Sequence, residues 1–257
     1  MGKARRERER REHEEARRRR AIAIWIATGV VAVALAATAG ILSNRTDSAP
    51  VPSAADPTSA DAQAPPELVA AAKALDFRPH TEPGVGLMED KPASAAREAS
   101  NPDLLAPGTQ APPFSLRTPE GDTVSLADYR GKAVLLELFA TWCPHCQAEA
   151  PHLERLSDQL DPAKAAIVAI DGSSADAASV YAFHRYFGLT YPALLDPSGT
   201  PGSFTQPGPA GPVSRSYRLG VFPTFYVIGP DGTVRWAGDG EQPTAKLRQE
   251  LQRAANA

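Results

Sequence analysis

Hydrophobic positions along this chain change their spacing several times, and each change marks a different kind of segment. Residues 21–42, AIAIWIATGVVAVALAATAGIL, carry no charge at all. As a helix rising 1.5 Å per residue, that run extends roughly 33 Å, enough to cross a bilayer core of roughly 30 Å. Residues 43–105 lose periodicity and fill with Ala, Pro, Ser and Asp, the composition of a flexible linker. Within it, PELVAAAKALDF at 66–77 suits a short helix, and 81–90 reads as spacer. Residues 106–257 show the pattern of a folded domain.

In that domain, PPFSLRTPEGDTVSL reads as two short strands around a turn at 119–122. AVLLELFA at 133–140 is a nearly continuous apolar run, the mark of a strand buried on both faces. Helical spacing follows over 144–160, with Ala148, Leu153 and Leu156 as inward candidates. AAIVAI at 165–170 predicts a second buried strand, followed by a helix over 175–187. TFYVI at 224–228 leads through Gly-Pro-Asp-Gly into TVRWAG, a hairpin, and a helix over 243–255 closes the chain. Strands alternating with helices and ending in an antiparallel hairpin imply an α/β fold, a mixed central sheet flanked by helices. Residues 198–216, rich in Gly and Pro, read as a surface insertion.

Charge refines the picture at one end only. The net charge is −3, which gives no reason to expect a nucleic-acid partner, but residues 1–20, MGKARRERERREHEEARRRR, are dense in arginine. A basic segment before an apolar run keeps that side in the cytoplasm, so the domain is expected on the far side of the cell membrane. We expect 21–42 to be a retained single-pass anchor in contact with membrane lipid. The alternative is a cleavable signal peptide, for which Ala37-Thr38-Ala39 has the small-residue pattern; either reading exports the domain.

Export gives the two cysteines their meaning. Cys143 and Cys146 are the only ones, three positions apart in TWCPHCQAE. A disulfide between them closes so short a loop that its entropic staple effect is about 2 kcal/mol. Structural zinc needs four ligands, and no second Cys or His pair has suitable spacing, so no metal and no cofactor is expected. The pair falls where a buried strand hands over to a helix. There the helix dipole and unpaired N–H groups favour a thiolate. Cys143 is therefore expected as an exposed, acidic nucleophile and Cys146 as a shielded thiol one turn inside. Pro144 suits the first helical position.

FATWCPHCQAEAPHLERL, the lead-in DYRGK and GVFPTFYVIGPDGTV resemble the TlpA/ResA branch of the thioredoxin superfamily, the redoxin or AhpC/TSA-like domains. The resemblance covers 107–255. It implies a thioredoxin fold with an N-terminal strand extension, behind a membrane-spanning helix and linker, and thiol–disulfide oxidoreductase activity. It casts Cys143 as nucleophile and Cys146 as resolving thiol, the two forming a redox-active disulfide. It makes Pro223 a cis-proline facing them. Val221 and Phe222 would present backbone to an extended substrate, with Trp142 shielding the disulfide. Glu149 matches a glutamate kept after the second cysteine in the ResA group. Glu137 interrupts the apolar run where thioredoxins carry a buried acid, which would have a raised pKa and move protons for Cys146; the alternative sets it on a solvated face. Implied partners are thiols and disulfides of exported proteins, apocytochromes among them as in cytochrome c biogenesis, and a membrane electron-transfer protein.

The dipeptide Pro144-His145 reproduces instead the window of DsbA, an oxidant, because a histidine beside the thiolate stabilises the reduced form. The scaffold thus points to reduction and the window to oxidation. Two further readings stay open: a thiol peroxidase, although Thr141 precedes Cys143 by two positions where peroxiredoxins use three, and a copper chaperone using His145 or His152.

Overall fold

The computed structural model describes residues 61–257 apart from 62, 81–83, 89, 98, 199–201, 204 and 207. The segment expected as a membrane anchor lies outside them. Among the described residues no helix is long and apolar enough to cross a membrane.

The unbroken apolar run becomes β3 (Ala133–Phe139), the middle of the sheet. To one side it pairs in parallel with β4 (Ala165–Asp171), and to the other antiparallel with β6 (Thr224–Ile228). Further out, β4 pairs with the short β5 (Ala193–Leu195) and β6 with β7 (Val234–Asp239). The hairpin of β1 (Ser115–Arg117) and β2 (Thr123–Ser125) extends the β5 edge, giving one mixed sheet in the order β2-β1-β5-β4-β3-β6-β7.

Both faces are covered, which is why the central strands show no hydrophobic alternation. On one face Leu135 and Phe139 pack with α2 (Pro144–Ser157), α3 (Ala177–Phe187) and α5 (Thr244–Ala255), including Leu153, Leu156 and Leu247. Val134, Leu136 and Leu138 enter the opposite core with Phe114, Tyr217 and Tyr226. Each such side chain contributes about 1.5–3 kcal/mol on leaving water, so this layering outweighs local propensity.

The inward face of α2 is Cys146, Glu149, Ala150, Leu153 and Leu156, one helical stripe at spacings of three and four. Ala148, expected inward, is only half-buried. Helix α3 starts at Ala177, two residues later than its pattern suggests, because the Asp176 carboxylate caps it by accepting from the Ser179 N–H at 2.7 Å. Three-residue β5 is too short to leave a periodic signal. The 198–216 insertion ends in a short helix, α4 (Pro212–Ser216), rather than open loop. Buried Asp196 accepts from the N–H groups of Val213 and Ser214 and ties it down.

A larger departure lies upstream. Of the segment read as linker, the described part from residue 61 onward lies against the domain. Its helix, α1 (Pro66–Ala74), buries Leu68 and Ala72 against Tyr181 and Ala182 of α3. Phe77 then meets the rings of Phe183, Tyr186 and Phe187 edge to face. Further on, buried Asp239 at the end of β7 accepts from the Ser100 N–H at 2.7 Å, the Ser100 hydroxyl at 3.0 Å and the Asn101 N–H at 2.8 Å. Small apolar residues spaced among prolines hide this packing from a composition reading.

Asp239→Ala should strip three donors of their acceptor, lowering stability by about 1–3 kcal/mol. It should also speed protease cleavage between residues 84 and 101. A urea midpoint equal to wild type would contradict that docking.

Candidate active site

Both cysteines sit where β3 hands the chain to α2. Cys143 is the residue that caps α2 (φ −77°, ψ 119°), with no side chain bonding to the helix's first N–H groups. Those groups are free to act on its sulfur. Pro144 occupies the first helical position, where no donor is needed.

Both cysteines are reduced thiols. The Cys146 thiol donates to the Cys143 sulfur, and that bond is the main influence holding Cys143 down to about 7 from an ordinary 9.0. Burial opposes it; the N–H groups of Cys146 and His145 and the charge of His145 assist. Fully buried Cys146 is pushed well above 9.0, first by burial and then by Cys143 and Glu137. The order of acidity is the one the sequence predicts; the exposure is not. Cys143, expected in the open, is only 4% exposed. Its sulfur lies 3.8 Å from the Phe222 carbonyl oxygen, and the rings of Trp142 and Phe222 meet edge to face at 5.5 Å.

That carbonyl belongs to a cis Phe222–Pro223 bond with Pro223 buried behind it. Val221 and Phe222 were expected to offer backbone to a substrate. The Val221 carbonyl already accepts from the Thr224 hydroxyl at 2.6 Å, while the Val221 side chain stays exposed. Gly172, after β4, is needed here. A Cβ on it would fall 2.5 Å from Leu219 and 3.2 Å from the Phe222 ring.

Two carboxyl groups share the interior. Glu137 lies on β3 opposite Ala169 and Phe225, and strand alternation puts it on the face of Leu135 and Phe139, beneath α2. It is buried, so the solvated-face alternative fails. Burial first, then Glu149 and Cys143, push its carboxyl well above 4.5. Glu149, on the inward stripe of α2, accepts from the Gln242 N–H at 2.8 Å. It is raised to about 8, chiefly by burial, with Glu241 adding and the Gln242 bond opposing. Tyr191, which the sequence did not single out, is buried within reach of the fields of Glu137, Glu154, Glu149 and Cys146.

Two other residues escaped the sequence reading. Glu241 places Oε1 at 2.7 Å from His145 Nδ1, so that the ring N–H donates to the carboxyl, and the Gly86 N–H donates to the same oxygen at 2.9 Å. Gln147 is buried on α2; its amide donates to the Thr141 carbonyl at 2.7 Å and its oxygen accepts from the His80 N–H at 2.6 Å. Neither has a motif, and Glu241 stands 96 positions from its partner. Among the described residues no cluster of His, Cys, Asp or Glu converges as a metal site. Chemically, the site offers one acidic sulfur, a second thiol hydrogen-bonded to it, and two neutralised carboxyl groups underneath.

The AhpC/TSA family model matches residues 107–237. Thioredoxin-like protein YneN of Bacillus subtilis (strain 168) is 34% identical over 146 residues, covering 56% of this chain and 78% of that protein. Thiol-disulfide oxidoreductase ResA of Bacillus cereus (strain ATCC 10987 / NRS 248) is 28% identical over 154 residues, covering 60% and 82%. A candidate protein disulfide isomerase from Bacteroides thetaiotaomicron, solved in solution, shares the fold with a TM-score of 0.50. Its identity is 26%, with 60% of this chain and 92% of that chain covered. The fold is thioredoxin-like.

Alkylation of the reduced protein should label Cys143 alone with a midpoint near pH 7. His145→Ala should raise that midpoint; equal labelling of both sulfurs would contradict the assigned acidities. Glu149 gives a second test. Its folded-state value of about 8 lies above the ordinary 4.5, so between these the folded protein holds a proton that the unfolded chain has lost. Stability therefore falls as pH rises through that window. Glu149→Gln should flatten the decline in urea midpoints between pH 5 and 8, leaving the part due to Glu137. A wild-type midpoint that climbs over this range would refute the buried-acid assignment.

Proposed function

This chain belongs to the AhpC/TSA family as a ResA-like thiol–disulfide oxidoreductase of the thioredoxin superfamily, and from that premise we propose that Cys143 and Cys146 exchange electrons with cysteines of exported proteins. The observation that carries this reading is the hydrogen-bonded thiol pair capping α2, with the acidic sulfur outermost and a backbone carbonyl 3.8 Å away.

In the reducing cycle the Cys143 thiolate attacks one sulfur of a target disulfide, forming a mixed disulfide and releasing the target's other sulfur as thiolate. Bonding Cys143 removes its negative charge. That charge is among the influences raising both Cys146 and Glu137, so both become stronger acids at that moment. Glu137, having released its proton to solvent, accepts the Cys146 proton. The Cys146 thiolate then attacks Cys143, closing the Cys143–Cys146 disulfide and expelling the second target thiolate. Two electrons have moved to the target; the oxidising cycle runs the same steps backward. Glu149 sets the field that Glu137 feels, and Trp142 with Phe222 keeps water from the sulfur.

The poise we assign is reducing. A nucleophilic thiol near 7 is thioredoxin's value rather than DsbA's about 3.5. Although the window is CPHC, His145 hands its ring N–H to Glu241 instead of lending its charge to the sulfur alone. Residues 21–42 and the basic segment before them support a membrane-anchored, extracytoplasmic setting with a membrane protein supplying electrons. Apocytochromes are a substrate class reached through the resemblance to ResA.

Cys143→Ser should abolish insulin reduction, and Cys146→Ser should accumulate mixed disulfides resolvable on a non-reducing gel. Retained turnover in Cys143→Ser would end this mechanism. The potential of the couple should lie near thioredoxin's roughly −270 mV; a value near −120 mV would reverse the direction and leave the exchange chemistry intact.

A further inference from the structure

Beside the redox centre lies a cleft of about 270 Å³ whose walls come from three separated parts of the chain. The floor is His145, Val221 and Phe222, next to the Cys143 sulfur; one wall is Asp239 to Glu241; the other is the upstream segment carrying Leu87, Met88 and Arg97. This last wall precedes residue 107, where the family match begins.

Four observations indicate what the cleft takes. Four large hydrophobic side chains are exposed among the described residues, and two of them, Leu87 at 63% and Val221 at 40%, line this one depression. An unpartnered apolar pair beside a reactive centre marks a contact surface for something apolar. Its charged groups also differ in how far they are engaged. Asp239 is occupied by Ser100 and Asn101, and Glu241 by His145 and Gly86, whereas exposed Arg97 forms no ion pair among the described residues. Arg97 is thus the charged side chain of the cleft with hydrogen-bond donors to spare. Third, the volume falls below the roughly 300–1,000 Å³ usual for small-molecule sites and suits a side chain or two. The Val221 backbone N–H makes no hydrogen bond among the described residues and can meet a carbonyl of an extended chain.

We propose that the upstream segment is a specificity element. Its Leu87 and Arg97, with Val221, read the residues flanking the cysteine of an extended polypeptide substrate and select a bulky apolar residue followed by an acidic one. This rests on the oxidoreductase reading above. Bound this way, the target sulfur lies over the Phe222 carbonyl, where Cys143 reaches it.

The experiment uses the full chain and a pair of short disulfide-linked peptides, one with Leu and Glu beside the cysteine and one with Leu and Lys. Exchange rate constants are measured by stopped-flow tryptophan fluorescence. The Glu peptide should react about tenfold faster in the wild type. Arg97→Ala should erase that ratio, Arg97→Glu should invert it, and Leu87→Ala should remove the advantage of Leu over Gly at the apolar position. A ratio near one in the wild type, or one unaltered in both Arg97 variants, overturns the proposal while reduced dithiothreitol still reduces the Cys143–Cys146 disulfide. Absence of exchange with dithiothreitol as well refutes the oxidoreductase reading, and the cleft proposal falls with it.

Discussion

A negative sulfur at the edge of an apolar core is stable only where hydrogen-bond donors converge on it, and that constraint organises this molecule. Burial alone pushes a thiol toward its neutral form, as Cys146 shows. Cys143 escapes because it caps α2, where the N–H groups of His145 and Cys146 and the Cys146 thiol all point at one atom. The cap must be held rigidly for those donors to stay aligned. β3 supplies the rigidity, with every residue buried and both edges paired. The length of the buried run therefore matters to the chemistry as much as to the fold.

The same low-dielectric interior links the other ionisable groups. Glu137, Glu149, Tyr191 and Cys146 each have their neutral form favoured by burial, and each is further disfavoured as an anion by charge on its neighbours. In an interior of this kind each negative charge raises the cost of the next. Forming or breaking a bond at Cys143 then changes the acidity of groups it does not touch, which lets a neutral carboxyl become a base when the resolving thiol needs one. The cost is stability at alkaline pH, since protons held in the fold are lost readily in the unfolded chain.

Around this centre the upstream segment and the loop after β7 form a second tier. Glu241 takes hydrogen bonds from His145 and Gly86; Gln147 takes one from His80; Asp239 takes three from Ser100 and Asn101. Residues far outside the matched domain thus fix the orientation of groups on α2 and shape the space beside the sulfur.

Local pattern alone determined the sheet's central strands, the main helices and the corner holding Cys143 and Cys146, because each is written in spacing along a contiguous stretch. The cis bond before Pro223 was legible through resemblance, since no spacing rule distinguishes it. Three things only the tertiary structure decided. Cys143 is covered because a loop 79 positions away folds over it. His145 is paired because Glu241 arrives from the end of β7. Residues that read as linker are docked because their few apolar side chains find partners on α3 and their N–H groups find buried carboxylates. Contacts between distant segments carry no period in the sequence, and an alanine–proline stretch looks the same whether it meets water or a surface that fits it.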